Sequence, residues 1–449
     1  MKNRKKILVF LVMACLVLGN ISACGDKTDS GVTDGTGQSS TDEAVDYAGQ
    51  VKLDMTSGTA KQEVTVKMFI DGDTTHFYVP DSVMEGGVLK ARYLAVNTPE
   101  STGKIEEYGK KASEFTKEKL SRATSIIVES ETATWTPDST GSRYLAWVWY
   151  KTADMEDYRN LNIEILQNGL AIASNSADNQ YGDYCMKALN QAKAQKLNVH
   201  SGEKDPDFYY GDAIELTLKE LRTNIDQYNG MKVAFNGVVT VNSNNSVYVE
   251  AHDAETDMYY GMAVYYGYNL NGQGLEILNV GNEVRIVGSV QYYEAGGTYQ
   301  VSDLNYRLMQ PDDPGNIQKL SEGKTPAFPL VDANTFVNGK VTINTEEKES
   351  TYDFAALALN SSVSMNNLQV VDIYTTTNEE SSSKGAMTLT CKVDGITISV
   401  RTDVLYDNNG NLITESAYQG KNINVKGIVD YYNGSYQIKV SSAKDITIN

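Results

Sequence analysis

A thirteen-residue pattern occurs twice in this chain. Gly281, Val284, Ile286, Gly288, Val290, Tyr292 and Tyr293 recur at the same spacing, 139 residues later, as Gly420, Ile423, Val425, Gly427, Val429, Tyr431 and Tyr432. Each copy is followed by a matching triplet, Tyr299-Gln300-Val301 and Tyr436-Gln437-Ile438. Alternation of apolar residues with period two is the mark of a strand, and a repeat at this distance is a domain length rather than a solenoid period. The pattern therefore predicts two copies of one β-module, at about 212–308 and 350–449. Pro311, Pro314, Pro326 and Pro329, half of the eight prolines, lie between them and predict a linker over 309–349.

Each copy opens on an apolar strand, Val233, Phe235 and Val239 or Leu368, Val370 and Ile373. Each ends in a hairpin, at Glu294 to Thr298 or at Asn433-Gly434. The pattern resembles OB-fold modules, small closed Greek-key barrels. At about 150 residues per domain, 449 residues leave room for a third domain ahead of the repeats. Over 61–205, short strand patterns (Val64, Val66, Met68, Ile70; Val88 to Val96; Leu145, Trp147, Trp149) alternate with helical patterns at 106–121, 157–169 and 180–196. The expected fold class is mostly β, with an α+β first domain that is itself an OB-fold barrel, followed by two further OB-like β-barrels. Cys185 shares a helical face with Leu189 and Ala192, and Cys391 alternates with Met387, Leu389 and Val393, so both cysteines read as packing residues.

The N-terminus carries a different signal. Lys2, Arg4, Lys5 and Lys6 precede an apolar run from Ile7 to Leu18, too short to cross a bilayer, and Ile21-Ser22-Ala23-Cys24 follows. This order resembles a bacterial lipoprotein signal over 1–23, which implies lipid on Cys24, a membrane partner, and a place on the extracellular face of the bacterial cell membrane. The alternative is an ordinary secretory signal in which Cys24 is incidental. Residues 24–60, rich in Gly, Ser, Thr and Asp, read as a flexible stalk.

Charge narrows the function. The net charge is −19, so attraction of the whole chain to a polyanion is disfavoured and any such binding must be local. Only His76, His200 and His252 are present, without metal-binding spacing, which argues against a His-rich zinc site.

Three segments carry the candidate chemistry. A strand pattern runs into Ile70-Asp71-Gly72-Asp73-Thr74, which places two carboxylates at a turn. Period two then puts Arg92, Leu94 and Val96 on one face of the next strand, leading to Asn97-Thr98-Pro99-Glu100. Gly141-Ser142-Arg143 delivers a second arginine at the start of a later strand. Together with Tyr108-Gly109 and Ala112, Leu145-Ala146, Asn168-Gly169-Leu170-Ala171 and Lys196-Leu197-Asn198-Val199, these blocks resemble, in order and spacing, the thermonuclease or staphylococcal-nuclease-like family.

The resemblance implies a Ca²⁺-dependent nuclease acting on DNA or RNA. It implies Glu100 as general base, Arg92 and Arg143 as clamps on phosphoryl oxygens, and Ca²⁺ held by Asp73, the Asn97 side-chain oxygen and the Thr98 carbonyl. This sequence departs from the family at Asn97, where Asp is usual, and at Thr140, Gly141, Asn175 and Ala177, where substrate-gripping residues are usual. Residues 61–205 hold 17 basic and 21 acidic side chains, a net of −4, and so have no strong basic face. The reading is thus a surface-anchored, Ca²⁺-dependent nuclease hydrolysing extracellular DNA or RNA. The alternative is a non-catalytic lipoprotein whose OB-like barrels bind nucleic acid or another ligand, with the paired tyrosines either stacking on bases or covering a half-wet sheet.

Overall fold

The computed structural model of the protein describes residues 44–449, apart from 244, 269, 271, 295, 345–348 and 379–380. The signal segment, Cys24 and most of the expected stalk lie outside the described residues. The chain is mostly β, with three closed five-stranded barrels.

The first barrel follows a short helix α1 (Tyr47–Gln50) and begins with β1 (Lys61–Asp71), β2 (Thr74–Tyr78) and β3 (Val88–Tyr93). After β4 (Ala95–Asn97) and α2 (Gly109–Ser121), β5 (Ser125–Glu129) and β6 (Tyr144–Lys151) complete the ring. Four antiparallel contacts and one parallel contact, Ala91 against Tyr144, close it in the order β3-β2-β1-β5-β6. The outer elements are β7 (Arg159–Asn160), α3 (Leu161–Gln167), β8 (Ile172–Ser174) and α4 (Gly182–Ala194).

β6 is buried on both faces because α3 lies across it. Trp147, Trp149 and Tyr150 are fully buried, as are Leu161, Ile163, Ile165 and Leu166. Asn162 on α3 joins the layers: its Oδ1 accepts from the Val148 amide at 2.9 Å, and its Nδ2 donates to the carbonyls of Leu94 and Ala146 at 2.8 and 3.0 Å. The three predicted helices are present, the first shortened at its start and the other two at both ends, and Cys185, Leu189 and Ala192 lie on the buried face of α4. β5 had no counterpart in the alternation pattern. Its Ile126-Ile127-Val128 is buried on both faces, and such a strand has no period to detect.

The stalk reading fails for its last part. Asp46 caps α1 and binds the Arg159 guanidinium through both oxygens, at 2.6 and 2.8 Å, while Ala48 and Val51 are buried. Polar composition had masked a short segment anchored by two apolar side chains and one bidentate ion pair.

The second barrel comprises β10 (Lys232–Ser243), β11 (Ser246–Asp253), β12 (Met258–Tyr265), β13 (Glu283–Tyr293) and β14 (Thr298–Ser302), preceded by β9 (Ile214–Glu215) and α5 (Leu218–Thr223), with α6 (Gln273–Ile277) between β12 and β13. β15 (Gln318–Ser321), α7 (Ala333–Asn338), the hairpin of β16 (Lys340–Asn344) and β17 (Glu349–Asp353), and α8 (Phe354–Leu357) follow. The third barrel is β18 (Ser362–Thr375), β19 (Met387–Val393), β20 (Ile396–Thr402), β21 (Asn422–Tyr432) and β22 (Ser435–Val440), with β23 (Ile446–Ile448) on its edge.

Both later barrels close through one parallel pair, Val264 with Val301 and Val400 with Ile438. The repeated pattern is the strand pair β13–β14 and its equivalent β21–β22. Its inner glycine has a steric cause: a Cβ at Gly288 would lie 2.5 Å from the Ser302 carbonyl oxygen, and one at Gly427 would lie 2.4 Å from that of Lys439.

The expected linker over 309–349 is not a free linker. β15 pairs with β13, Ile317 is fully buried, and Phe336 of α7 packs into the core. The prolines interrupt the segment without releasing it, because a proline at a turn or edge leaves its neighbours free to pair.

The second and third barrels share one apolar core. At their joint the buried Arg222 guanidinium donates to the carbonyls of Gly261 and Leu359, the latter at 3.0 Å, and to Asn360 Oδ1 at 3.1 Å. Glu250 accepts from the amide and hydroxyl of Ser362 at 2.7 and 3.0 Å. Arg222→Ala leaves three buried acceptors without a donor, each worth about 1–3 kcal/mol. Urea unfolding should therefore show a loss of at least about 2 kcal/mol, and a loss below about 0.5 kcal/mol would contradict this account of the joint.

Candidate active site at the β1–β2 turn

β1 ends at Asp71 and β2 begins at Thr74, so Gly72 and Asp73 form the turn. The Asp73 amide donates to Asp71 Oδ1 at 3.1 Å, which fixes the first carboxylate across the turn. α2 presses on this turn from outside the barrel. Thr116 Oγ1 donates to the Gly72 carbonyl at 2.6 Å, and a Cβ on Gly72 would lie 2.9 Å from both Ala112 Cβ and the Thr98 side chain. Gly72 and Ala112 are thus small because helix and turn meet there.

Asp73 is buried and accepts three contacts. Its Oδ2 takes the Thr98 amide at 2.8 Å, its Oδ1 takes the Thr74 hydroxyl at 3.1 Å, and Oδ1 also forms an ion pair with the Arg92 guanidinium. Arg92 lies opposite Thr74 in the β2–β3 register, and its Nη2 donates to Asn97 Oδ1 at 2.7 Å. Four of the sequence-predicted residues, Asp73, Arg92, Asn97 and Thr98, are therefore in direct contact.

The expected period of Arg92, Leu94 and Val96 along one strand is broken. Ala95 has φ of 67°, left-handed for a residue with a side chain, and the chain leaves the barrel to pair β4 with β8. The buried Ser176 hydroxyl donates to the Ala95 carbonyl at 2.5 Å and holds the bend. This bend swings Asn97 and Thr98 back onto Asp73.

Glu100 stands at the solvent-facing rim, with its main chain clamped. The Glu106 amide donates to its carbonyl at 2.9 Å, and Gly109 lies against that carbonyl so closely that a Cβ would be 2.2 Å away. Gln291 of the second barrel reaches the next residues, its Nε2 donating to the Ser101 carbonyl at 2.5 Å.

Arg143 precedes β6, where Leu145 pairs with Arg92. Its Nε and Nη2 both bind Asp138 Oδ2 at 2.7 Å, and Asp138 Oδ1 takes the Thr140 hydroxyl at 2.6 Å. The sequence reading had not singled out Asp138; its position five residues before Arg143 in an Asp-x-Thr turn was the available signal. The Thr140 hydroxyl serves this turn, and Asn175 accepts a bond from Asn179 through its main-chain carbonyl.

The charges interact. Burial pushes the Asp71 carboxyl above its ordinary value, against the pull of Arg92, a hydrogen bond from Thr74 and the charge of Arg143. Burial, then the Asp71 charge, raises Glu100 as well, while Arg92 and Arg143 draw it down. Asp71, quoted in the sequence motif without a role, is thus the hub of the site's electrostatics.

Among the described residues, no group of three or more His, Cys, Asp or Glu side chains is arranged to hold a metal ion. The oxygens of Asp73 and Asn97 nevertheless meet on one cationic group, the Arg92 guanidinium. A carboxylate, an amide oxygen and a main-chain carbonyl are hard ligands of low total charge, which fits a weak Ca²⁺ site.

Residues 90–201 match the family model described as staphylococcal nuclease homologue. The matched stretch includes Arg92, Asn97, Thr98, Glu100 and Arg143, and begins after the β1–β2 turn.

The turn's attachment to α2 is open to test. Thr116→Val keeps the shape and removes the donor to the Gly72 carbonyl, leaving a buried acceptor unpaired. Thermal or urea unfolding should show a loss of about 1–3 kcal/mol.

Proposed function

We propose that the first barrel is a phosphodiester hydrolase, a Ca²⁺-dependent nuclease, with its reaction centre at the β1–β2 turn. The observation that carries this reading is the gathering of a rim carboxylate, Glu100, and two arginines, Arg92 and Arg143, around a buried pair of aspartates. Hydrolysis of a phosphodiester needs a water activated for in-line attack and charge stabilisation at phosphorus. Glu100, the carboxylate raised by burial and by Asp71, takes the proton from the attacking water. Arg92 and Arg143, each held in place by an aspartate, present planar donor forks to the phosphoryl oxygens. Asp73, Asn97 and the Thr98 carbonyl would hold Ca²⁺, and the ion when bound would supply further positive charge to the substrate phosphate.

The remaining parts of the reading rest on sequence. Lipid on Cys24 would anchor the protein to the outer face of a bacterial membrane, where DNA or RNA outside the cell is the available substrate. A second reading, a binding protein without catalysis, is favoured by one observation: both arginines are already paired with carboxylates, Asp73 and Asp138.

Glu100→Gln separates the two. In the nuclease reading it lowers Ca²⁺-dependent cleavage of a single-stranded oligonucleotide by at least about 100-fold while leaving circular dichroism unchanged. Wild-type protein that binds the oligonucleotide and never cleaves it selects the binding reading. A general base acts deprotonated, so activity should fall as pH drops, with a midpoint above that of an ordinary glutamate because the Glu100 pKa is raised. A pH–rate profile whose acid limb lies at or below the ordinary value would contradict that role. Asn97→Asp adds a ligand charge, and should lower the Ca²⁺ concentration for half-maximal activity about tenfold with a similar maximal rate.

A further inference from the structure

The outer face of the first barrel continues away from Arg92 as a basic stripe. In β3, Leu89, Ala91 and Tyr93 are buried inside the barrel while Lys90 and Arg92 face outward, so Lys90 lies on the face of Arg92, roughly 7 Å further along the strand. His76 of β2 is the register partner of Lys90 and of Met68. Next to Met68, the exposed Lys67 sets its Nζ 5.7 Å from the centre of the Tyr78 ring, which is 53 % exposed. Burial, together with the charges of Lys90, Lys67 and Arg143, pulls the His76 pKa down to about 4. Three cations therefore surround an imidazole that is itself neutral at pH 7.

Neither Lys67 nor Lys90 has a carboxylate within ion-pair distance among the described residues. The nearby acids are otherwise placed. Glu63 accepts the Ser125 hydroxyl at 2.9 Å, and Asp81 and Glu85 lie in the β2–β3 connection beyond Tyr78.

The stripe runs into a groove of about 770 Å³ lined by Lys67, Phe69 and Tyr78 of the first barrel and by Tyr432 and Asn433 from the β21–β22 hairpin of the third. Tyr432 is 64 % exposed. The acid in this groove, Glu294, is ion-paired with Lys117. Cations in a row followed by exposed tyrosine rings are the two elements a single strand needs, charge for the backbone and flat faces for unpaired bases.

We propose that this stripe and groove hold the continuation of a single-stranded nucleic acid whose reacting phosphate lies at Arg92 and Arg143, with Lys67 and Lys90 facing phosphates and Tyr78 and Tyr432 stacking on bases. The inference rests on the nucleic-acid reading of that site, and not on cleavage. It accounts for how an acidic domain lacking side-chain grip at Thr140, Gly141, Asn175 and Ala177 retains a strand, and it gives the third barrel a part in binding.

The test is fluorescence anisotropy with a labelled 15-residue oligothymidylate and the full chain, in chelator so that nothing is cut. The double variant Lys67→Glu, Lys90→Glu should bind at least tenfold more weakly, with the slope of log affinity against log salt reduced by about 1.4, the loss of two single-strand phosphate contacts. Tyr78→Ala and Tyr432→Ala should each weaken binding about fivefold or more. The double variant Lys187→Glu, Lys193→Glu, on α4 outside the stripe, serves as the charge-matched control and should bind like wild type. Binding by the double variant within twofold of wild type, or equally tight binding of the corresponding duplex, overturns the proposal. Wild-type protein with no affinity for the oligonucleotide overturns the nucleic-acid reading as well, whereas cleavage that depends on Glu100 with unaltered stripe variants overturns the stripe alone.

Discussion

A carboxylate taken out of water needs a cation, and the turn at the end of β1 contains two carboxylates. Asp73 meets that need through Arg92 and draws in the Thr98 amide with its other oxygen. Much of the first domain is arranged around this contact. α2 pins the turn through Thr116, Ala95 takes a left-handed bend that brings Asn97 and Thr98 back to it, and the parallel β3–β6 pair carries Arg143 alongside. Asp71 behind them stays above its ordinary carboxyl value because one guanidinium and a more distant one do not fully offset its burial. A site so supplied with carboxylates, and rimmed by Glu100, holds the oxygen donor types that a hard cation takes.

The later barrels bear on this centre through packing and, in the proposed strand path, through Tyr432. Arg222 and Glu250 both bind the Leu359–Ser362 segment, so the repeated modules are joined by buried hydrogen bonds as well as by a shared core, with Arg222 Nε left without a hydrogen-bond partner. Gln291 then touches Ser101, one residue beyond Glu100. This contact ties the second barrel to the loop that carries the candidate base.

Legibility in the sequence followed the physics of each signal. The mostly β class could be read because half-buried strands alternate, and Gly288 and Gly427 repeat because the same close approach of two strands recurs. Strand β5 and the anchored segment around Ala48 and Val51 could not, since the first is buried on both faces and the second is polar in composition with only two inward side chains. Prolines at 311, 314, 326 and 329 suggested a linker because they mark interruptions, which pairing on either side then bridges. Within the site, residue types named Asp73, Arg92, Asn97 and Thr98, and the fold brings those four into contact. The bend at Ala95, the partner Asp138 and the influence of Asp71 depend on backbone geometry and burial, which one-dimensional spacing does not carry.

Calcium titration by calorimetry on the wild-type chain and on Asp73→Asn tests the centre most directly, since it asks whether the turn's buried charge is a cation site at all. The account predicts one weak site, with Kd of roughly 10⁻⁴ to 10⁻³ M, that disappears in Asp73→Asn while circular dichroism stays unchanged. Undiminished binding by Asp73→Asn, or no binding by the wild type up to about 10 mM Ca²⁺, would contradict it.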